Sequence, residues 1–357
     1  MASNPYQSIR TVTRGNTIES IHYGAFAVVD SSGRLIASHG DPDSITYLRS
    51  SSKPFQALPL VESGGAAYWG FTPKEIAITC ASHSGTDDHA QTLTGMQAKI
   101  GISQNHLQCG IHDPIDKNTA RNLILKGEQL TPNRHNCSGK HTGMLAFVQA
   151  NNLPLETYLD SQHPLQQRIL NTVCEMCDLE TEQVAIGVDG CSAPNFAMPL
   201  RNAALGFARL IDPSELPPQR AAACQIITDA MISHPDMVAG PGRFDTRLMV
   251  AAHDKVVSKG GAEGYQAIGI KPGVLGSQSP GIGIAIKISD GDPSSRARSA
   301  VALQILIQLG ALTHQEAQSL EQFGPNFLIY NWRNILVGQA ATAFQLDDLD
   351  HYARSYH

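Results

Sequence analysis

Runs of β-favouring residues lie near both ends of this chain, and helical patterns fill the sequence between them. The run from Thr17 to Asp30 alternates and then becomes apolar, S-S-G-R follows, and L-I-A-S-H-G resumes the pattern, which predicts an antiparallel hairpin turning at Gly33. Three further short runs, K-V-V-S-K-G-G-A-E-G, Y-Q-A-I-G-I and G-I-G-I-A-I-K-I, lie near the other end. We therefore predict an α/β fold in which both chain ends supply an antiparallel sheet flanked by helices.

Helical spacing of apolar residues predicts six helices between and after these runs: Asp88–Lys99, His163–Cys177, Phe196–Leu210, Pro218–Ser233, Phe244–Ala252 and Ser295–Leu309. Another helix is expected to begin at T-P-K-E, because Thr72 offers an N-cap, Pro73 suits a first turn and Glu75 completes a capping box. We predict one domain over residues 1–357, with a helical region at roughly 86–185 inserted between the parts that form the sheet.

The composition favours a small-molecule partner. The chain has 357 residues, 42% of them hydrophobic, a formal net charge of -6 and no Lys/Arg run, so we expect neither a nucleic-acid nor a membrane-surface partner. The first ten residues lack an apolar stretch behind a basic start, and no segment reaches the ~18 apolar residues of a membrane span, so we expect a cytoplasmic protein. The seven cysteines, an odd number, are typical of thiols or metal ligands.

The stretch R-S-S-S-K-P-F-Q contains the pattern S-x-x-K, in which Ser50 and Lys53 share one helical face. A lysine that is neutral can take the proton of a serine hydroxyl and make it a nucleophile, and burial or a second cation lowers a lysine pKa in that direction. Pro54 is tolerated in a first helical turn. Serine-rich segments before a lysine are also common in loops, so the pattern alone leaves both interpretations open.

Two more segments carry candidate catalytic groups. In C-A-S-H-S-G, Ser82 lies where a capped helix gives way to a glycine turn, which is either an exposed functional position or an ordinary serine-rich helix end. In S-K-G-G-A-E-G, Lys259 lies on an apparent strand before glycines that allow a ligand or another backbone to approach closely. The alternative is a solvated lysine at the end of a strand.

The cysteines supply a candidate metal site. Cys137 in C-S-G-K-H and Cys191 in V-D-G-C-S-A-P each lie in a polar turn, and two thiolates suit a soft tetrahedral ion such as zinc. His141 or a neutral Lys140 is the third ligand. The pair in C-E-M-C has metal spacing too, but lies in an amphipathic helical pattern and is assigned to the core. The remaining candidates, His89, His112 and His135, have no identifiable partner and are assigned to the surface.

Together these segments resemble the rhizobial-type L-asparaginases, which are also described as asparaginase II or as thermolabile or inducible asparaginase. The resemblance covers nearly the whole chain and rests on seven segments in order: R-G-N-T-I-E-S-I-H-Y-G-A, R-S-S-S-K-P-F-Q, C-A-S-H-S-G, C-S-G-K-H, D-G-C-S-A-P, H-P-D-M-V-A-G-P-G-R-F-D-T and K-G-G-A-E-G. It implies a fold like that of serine β-lactamases and glutaminases, and a homodimer.

The resemblance also implies an activity and a site. Such enzymes hydrolyse L-asparagine to L-aspartate and ammonia with two serine-lysine pairs, which match Ser50 with Lys53 and Ser82 with Lys259. The zinc ligands of the family match Cys137, Lys140 and Cys191, and a family aspartate close to substrate and metal matches Asp189.

The expected mechanism is an acyl-enzyme reaction. Two lysines in one cleft repel each other, so at least one should be partly neutral near pH 7. We predict that Ser50, activated by Lys53, attacks the amide while Ser82 and Lys259 relay protons, and the reverse assignment with Ser82 as nucleophile stays open. Asp189 would bind the substrate ammonium and Arg49 its carboxylate, although Arg49 suits a structural pair equally. We expect Zn2+ to position the substrate rather than to supply the nucleophile.

Other functions compete with this one. A penicillin-recognising serine hydrolase also uses S-x-x-K, but the later motif here is K-G-G in place of K-T-G, and no S-D-N segment occurs. A glutaminase is closer, since one methylene is worth only ~1 to 3 kcal/mol of discrimination. A zinc-dependent small-molecule-binding or regulatory protein would need the cysteines but neither lysine of the serine-lysine pairs.

Overall fold

The computed structural model describes residues 4–346 and consists of two compact units. Within the described residues, the first comprises 4–48, 198–212 and 251–346, and the second comprises Arg49–Ala197 and Pro213–Val250. The first and last parts of the described chain thus both contribute to the first unit. The prediction of a single domain over the whole chain stays a prediction.

The regular elements follow one another closely along the described residues. The strands are β1 (Gln7–Arg14), β2 (Thr17–Asp30), β3 (Leu35–His39), β4 (Ile45–Tyr47), β5 (Ala185–Val188), β6 (Pro194–Pro199), β7 (Val256–Gly260), β8 (Tyr265–Ile270), β9 (Ile282–Ile288), β10 (Phe327–Tyr330) and β11 (Leu336–Thr342). The helices are α1 (Lys53–Glu62), α2 (Gly65–Tyr68), α3 (Pro73–Thr79), α4 (Asp87–Lys99), α5 (Lys117–Lys126), α6 (Ser138–Ala150), α7 (Pro164–Cys177), α8 (Leu200–Ile211), α9 (Pro218–Ser233), α10 (Pro235–Val238), α11 (Phe244–Ala251), α12 (Arg298–Gln308) and α13 (His314–Gln318). Short 3-10 helices lie at Arg49–Ser52, Gln104–His106, Pro132–Arg134, Thr181–Gln183 and Glu321–Phe323.

An antiparallel sheet forms the first unit, as predicted. Its strand order is β10-β11-β1-β2-β9-β8-β7, and β3 pairs with β2 as the predicted hairpin. The central contact joins β2 from the start of the chain to β9 from its last third, with Phe26 opposite Ile286 and Ala27 opposite Ala285. The prediction that both chain ends build one antiparallel sheet is therefore confirmed.

Helices α8 and α12 pack on this sheet within the first unit. A Cβ at Gly283 of β9 would overlap the carbonyl of Ala204 in α8, and a Cβ at Gly269 of β8 would lie 3.0 Å from the carbonyl of Phe207. The alternation of glycine with isoleucine in β9 thus serves packing, because glycine lets the helix backbone lie close to the strand.

Helices dominate the second unit. Helix α1 packs against α6, α7 and α9, and α3 packs against α6 and α9. The predicted capping box of α3 is confirmed, since the Thr72 hydroxyl accepts from the Glu75 amide at 3.3 Å and the Glu75 carboxylate accepts from the Thr72 amide at 2.7 Å. Cys174 and Cys177 are buried on α7, in agreement with their assignment to the core.

Two predicted helix starts are wrong. The first is that of the helix predicted from Ser295, which begins at Arg298 as α12. The predicted helix Phe196–Leu210 begins only at Leu200, because Pro194–Pro199 forms strand β6. Within the second unit this strand pairs with β5, with Ile186 opposite Phe196. Proline lacks the amide N–H that a helix interior requires, so Pro199 separates the strand from the helix.

All seven cysteines lie in the described residues, are buried and form no disulfide, as predicted. Among residues 4–346, no helix has the length and apolar character needed to cross a bilayer.

Candidate active site

Ser50 is presented at the start of helix α1. Arg49–Ser52 forms a 3-10 turn that leads into α1, and Pro54 lies in the first helical turn, as the sequence predicts. Arg49 adopts a left-handed φ of 51°, its amide donates to Asn195 Oδ1 at 3.1 Å, and Ser52 Oγ donates to its carbonyl at 2.9 Å. Left-handed backbone is costly for a residue with a Cβ, and such strain is often found at functional sites. The half-buried Ser50 follows this strained residue directly.

Lys53 is buried and connects three of the motifs. Its Nζ donates to Ala81 O at 2.6 Å, Ser82 Oγ at 3.0 Å and Cys137 Sγ at 3.1 Å. Among the hydrogen bonds of residues 4–346, none joins Ser50 to Lys53. The lysine of S-x-x-K therefore contacts the serine that the family resemblance pairs with Lys259, an arrangement that the three-residue spacing does not reveal.

The turn that carries Ser82 is braced by the segment after α9. The Ser82 amide donates to Val238 O at 2.9 Å, and Ser84 Oγ donates to Ala239 O at 2.8 Å. Arg243 Nη1 donates to Ser82 O at 3.4 Å. The segment H-P-D-M-V-A-G-P-G-R-F-D-T therefore holds the turn of Ser82 in place, a role that its sequence does not indicate. Because the Ser82 amide is already bonded, it is not available to stabilise an oxyanion.

Buried histidines that are neutral hold this region in place through hydrogen bonds. His83 Nδ1 accepts from the Gly85 amide at 3.1 Å, so its Nε2–H donates to Ser138 Oγ at 2.9 Å. Burial, together with His89 and Lys53 nearby, holds the pKa of His83 well below its ordinary value. His83 thereby links the Ser82 turn to the start of α6.

The assignment of two other histidines to the surface is wrong. His89 and His135 are buried, whereas His112 is half-buried. His89 Nδ1 accepts from Thr86, and its Nε2–H donates to Asp236 O at 3.0 Å. His135 Nδ1 accepts from the amide of Cys137 at 3.0 Å, and burial, with His112 and Lys53 nearby, lowers its pKa to about 4. A neutral imidazole with satisfied nitrogens is tolerated in a core, which a hydropathy pattern does not register.

The predicted metal ligands lie together. Cys137 precedes the first residue of α6, Lys140 lies in its first turn, and Cys191 lies in the turn between β5 and β6. All three are buried, and Lys140 Nζ donates to Cys191 Sγ at 3.0 Å. The Cys191 thiol, together with Lys53 and Lys140, holds the pKa of Cys137 well below its ordinary value. Burial acts to lower the pKa of Lys140, but the Cys191 and Cys137 thiols outweigh it and raise that pKa overall.

The donor set of Cys137, Cys191 and Lys140 fits a soft divalent cation if Lys140 is deprotonated. In residues 4–346 no group of three or more His, Cys, Asp or Glu side chains is arranged to hold a metal ion. The predicted trio has two thiols and one amine, and Lys53 Nζ and Lys140 Nζ each donate to one of the two sulfurs. Thiolate ligands suit zinc, and Lys140 would have to lose its proton to offer a lone pair.

The two predicted substrate-binding residues pair with each other. Arg49 Nε and Nη2 each lie 2.9 Å from Asp189 Oδ1, which also accepts from the Gly190 amide at 2.8 Å. Burial acts to raise the pKa of Asp189, but Lys140 and Arg49 outweigh it and lower that pKa. Asp189 is therefore an anion that faces both Arg49 and the Lys140 amine. The two contacts from Arg49 and the one from the Gly190 amide converge on Oδ1, one of its two oxygens.

Lys259 lies in the first unit, on strand β7. It is fully buried opposite Ala267 of β8, and its Nζ donates to Gly260 O at 2.7 Å. The alternative of a solvated lysine at the end of a strand is therefore wrong. A fully buried lysine costs free energy unless its ammonium is satisfied or neutral.

Comparison with known proteins identifies one family and several remote structures. The family model described as L-asparaginase II matches residues 11–342. No curated protein matches the chain. Among solved structures, the Bacillus subtilis glutaminase in covalent complex with 5-oxo-L-norleucine has 13% identity and a TM-score of 0.34, over 76% of this chain and 81% of its own. Simvastatin synthase from Aspergillus terreus has 11% identity and a TM-score of 0.37, over 84% and 93%. Similarities of this strength carry no conclusion.

Proposed function

This chain belongs to the L-asparaginase II family, and on that premise we propose that it hydrolyses the side-chain amide of L-asparagine to L-aspartate and ammonia. The observation that carries the proposal is the contact between the buried Lys53 and Ser82, in which Lys53 Nζ lies 3.0 Å from Ser82 Oγ. Lys53 is the first residue of α1, and Ser50 lies shortly before it in the chain. A lysine in contact with a serine hydroxyl is the arrangement that general-base activation requires.

Ser50 is the proposed nucleophile. Ser82 is only 6% exposed, its hydroxyl is bonded to Lys53 and its amide is bonded to Val238. Ser50 is half-buried and therefore more exposed than Ser82, and it follows the strained Arg49 at the start of α1, which supports its role as the attacking group. The roles therefore divide into an attacking serine, Ser50, and a relaying serine, Ser82.

The proposed reaction has two steps. Ser50 Oγ bonds to the amide carbon of asparagine, its proton passes to Lys53 through Ser82, and the same proton leaves with the amide nitrogen as ammonia. Water then attacks the β-aspartyl ester, one of its protons passes through Lys53 to Ser50 Oγ as the ester C–O bond breaks, and aspartate leaves after its new carboxyl group has lost the other proton to solvent. Lys259 is the proposed second proton carrier. One well-placed oxyanion donor contributes ~3 kcal/mol, and that donor is not the amide of Ser82.

Asp189 and Arg49 are proposed to hold the amino-acid end of the substrate. The contacts of Arg49 and Gly190 converge on Oδ1 of Asp189, which supports a role for Oδ2 as the acceptor of the substrate ammonium. The guanidinium of Arg49 would then bind the α-carboxylate. A substrate with both charged groups is thereby favoured over a simple amide.

Zn2+ is proposed as the metal, held by Cys137, Cys191 and Lys140. When bound, it supplies a Lewis acid that orients polar groups of the substrate. Removing the metal with a chelator should raise KM more than it lowers kcat. A fall in kcat with KM unchanged would refute the positioning role.

The first experiment measures ammonia release from L-asparagine and, in parallel, from L-glutamine. We expect the wild type to prefer asparagine and Ser50→Ala to lose at least ~10³-fold in kcat. Ser63→Ala, at the other end of α1, is the matched control and should retain activity. No release by a folded, zinc-loaded wild type would overturn the proposed function and favour a zinc-dependent binding protein.

A second experiment separates the two serines. A diazo-ketone analogue of asparagine should alkylate the nucleophile, and peptide mass mapping should find the added mass on Ser50. Label on Ser82 would reverse the two roles. The homodimer and the cytoplasmic location stay predictions, and light scattering and fractionation test them.

A further inference from the structure

A polar cavity lies beside α4, the helix that follows the Ser82 turn. Its volume is about 340 Å³, within the range of sites that hold small molecules. Residues 128–134 form one wall, and the other is a stripe of α4 with helical spacing, formed by Asp87, Ala90, Gln91 and Thr94. The residues assigned to the proposed reaction are all described, and the lining includes none of them.

A charged pair lies in this lining. Arg134 Nη2 lies 2.6 Å from Asp87 Oδ1, and the Arg134 side chain is 13% exposed whereas that of Asp87 is 68% exposed. Within the described residues, the guanidinium makes one other hydrogen bond, from Nη1 to the Gly85 carbonyl at 3.0 Å. A guanidinium has five N–H donors and a carboxylate has two acceptor oxygens. Both groups therefore keep unused hydrogen-bonding capacity next to the cavity.

This pair is complementary to the two charges of an α-amino acid. An α-carboxylate accepts charge-assisted bonds from an arginine, and an α-ammonium donates such a bond to a carboxylate. Arg134 and Asp87 are in contact, so the two ligand groups that they bind must also lie close together, as they do in a zwitterion. The cavity therefore offers charge recognition of the kind proposed for Arg49 and Asp189.

Neutral polar groups line much of the rest of the cavity. Gln91, Gln104 and Gln129 are exposed or half-buried, and their side-chain amides make no hydrogen bond to another described residue. Asn133, which also lines the cavity, is 4% exposed and is fixed by Gln97, whose Nε2 donates to Asn133 Oδ1 at 2.7 Å. A carboxamide both donates and accepts, so this lining matches a ligand side chain that does the same.

The charges of the lining disfavour a second carboxylate on the ligand. Its charged members are Asp87, Glu128 and Arg134, and Lys126, which lies outside the lining, pairs with Glu128 at 3.7 Å. The lining thus has two carboxylates and one guanidinium. A zwitterion with a neutral side chain adds no net charge, whereas a dicarboxylic amino acid brings a further anion near Asp87 and Glu128.

We propose that this cavity is a second binding site, which takes an α-amino acid with a carboxamide side chain and is probed with L-asparagine. Arg134 binds the α-carboxylate, Asp87 binds the α-ammonium, and the glutamine amides bind the side-chain amide. Arg134 also holds the Gly85 carbonyl in the turn of Ser82, so occupancy restrains that turn and raises the rate of hydrolysis. The site itself rests on the cavity alone, and its effect on the rate rests on the proposed function.

Equilibrium dialysis of L-asparagine against Ser50→Ala counts the binding sites without turnover. We expect two molecules per chain, one at Arg49 and Asp189 and one in the cavity. Adding Asp87→Asn should weaken binding in the cavity at least ~10-fold, because the ammonium loses its charged partner, and should leave one tightly bound molecule per chain. Two molecules per chain with unchanged affinity in this double variant would overturn the proposal.

Asp88→Asn is the matched control. Asp88 lies next to Asp87 in the first turn of α4, pairs with Lys74 at 2.5 Å and does not line the cavity. Each variant removes one carboxylate from the same helix N-terminus, so any general effect on α4 is common to both. Asp88→Asn should keep both binding sites, and equal losses of affinity in the two variants would overturn the role of the cavity.

The number of bound molecules also separates this proposal from the proposed function. One molecule per chain that is lost in Asp87→Asn would support the cavity and refute the substrate site at Arg49 and Asp189. One molecule that is retained in Asp87→Asn would overturn the cavity and leave the substrate site in place. A chain that binds no L-asparagine would refute both.

Competition tests the class of ligand. Asp189→Asn in the Ser50→Ala background weakens the substrate site, so displacement of L-asparagine then reports mainly on the cavity. L-Alanine lacks the carboxamide and L-aspartate replaces it with a carboxylate, and each should displace L-asparagine ~10-fold less well than L-asparagine itself. Displacement by L-aspartate at the same concentration as L-asparagine would overturn the assigned ligand class.

Ammonia release measures the coupling to the Ser82 turn. At saturating L-asparagine both sites of the wild type are filled, so Asp87→Asn should lower the rate ~5-fold or more, as allosteric couplings commonly do. Asp88→Asn should retain the rate of the wild type. Equal saturating rates in the wild type and Asp87→Asn would overturn the effect of the cavity on that turn.

Discussion

Gly85 ends the C-A-S-H-S-G turn, and its replacement by alanine tests how tightly Ser82 is held. Its φ is 72°, in the left-handed region, and a Cβ there would lie 2.6 Å from the carbonyl oxygen of Arg134. Its amide donates to His83 Nδ1 at 3.1 Å, and its carbonyl accepts from Arg134 Nη1 at 3.0 Å. Both faces of the residue are therefore fixed by neighbours.

The cost of Gly85→Ala has two parts. Left-handed backbone costs a residue with a Cβ roughly 1–2 kcal/mol. Cβ contacts below 3.0 Å are essentially never observed. The turn and the Arg134 backbone must therefore move apart until the distance from Cβ to the Arg134 carbonyl oxygen grows from 2.6 Å to at least 3.0 Å. Overpacking of this kind costs about 1–3 kcal/mol. We expect the free energy of unfolding to fall by about 3 kcal/mol and ammonia release to fall on the order of tenfold, since the displaced turn carries Ser82.

Substitutions at two other glycines separate the cost of the left-handed backbone from the cost of the steric overlap. Gly127 has a φ of 66° and Gly95 lies inside α4, and an added Cβ at either would meet nothing within 4 Å. Gly127→Ala should therefore cost only the backbone term of roughly 1–2 kcal/mol. Gly95→Ala should stabilise the protein by up to ~1 kcal/mol, because alanine favours a helix. Urea unfolding measures all three, and Gly85→Ala no less stable than Gly127→Ala would refute the steric argument.

The remaining predictions concern stability. Glu62→Gln should cost about 3 kcal/mol, because Arg220 is 5% exposed and is bonded by both oxygens of Glu62 at 3.0 and 3.2 Å. Glu175→Gln, whose side chain is 57% exposed, removes a bond of the same arginine and should cost less than about 1 kcal/mol, and equal losses in urea unfolding would contradict the role of burial. Acid should destabilise the protein as the pH falls through about 6.5, because the pKa values of His83 and His89 are lowered by burial and the unfolded state therefore binds more protons. Unfolding free energies from pH 8 to pH 5 test this, and a flat profile would refute it.

Local patterns were sufficient for much of the fold. The hairpin from Thr17 to His39, the capping box at Thr72 and the helix ending at Cys177 all follow from contacts between residues near in sequence. The segment C-S-G-K-H was predicted to be a polar turn, whereas four of its five residues form the start of helix α6 (Ser138–Ala150). Its residues are buried from Ser138 to Val148, and a helix that is buried on all sides has no polar face to reveal its period.

Family membership could be predicted from the sequence, because S-x-x-K, C-A-S-H-S-G and the two cysteine turns are short motifs that occur in order. The partners of those motifs could not. Lys53 contacts Ser82 and Cys137, and Arg49 pairs with Asp189, across 29, 84 and 140 residues. The sequence by itself determined which chemical groups this protein carries and where its local elements begin. Only the packing of distant segments decided which of these groups touch, because a long-range hydrogen bond depends on the position of whole helices and turns, not on the spacing of the residues that make it.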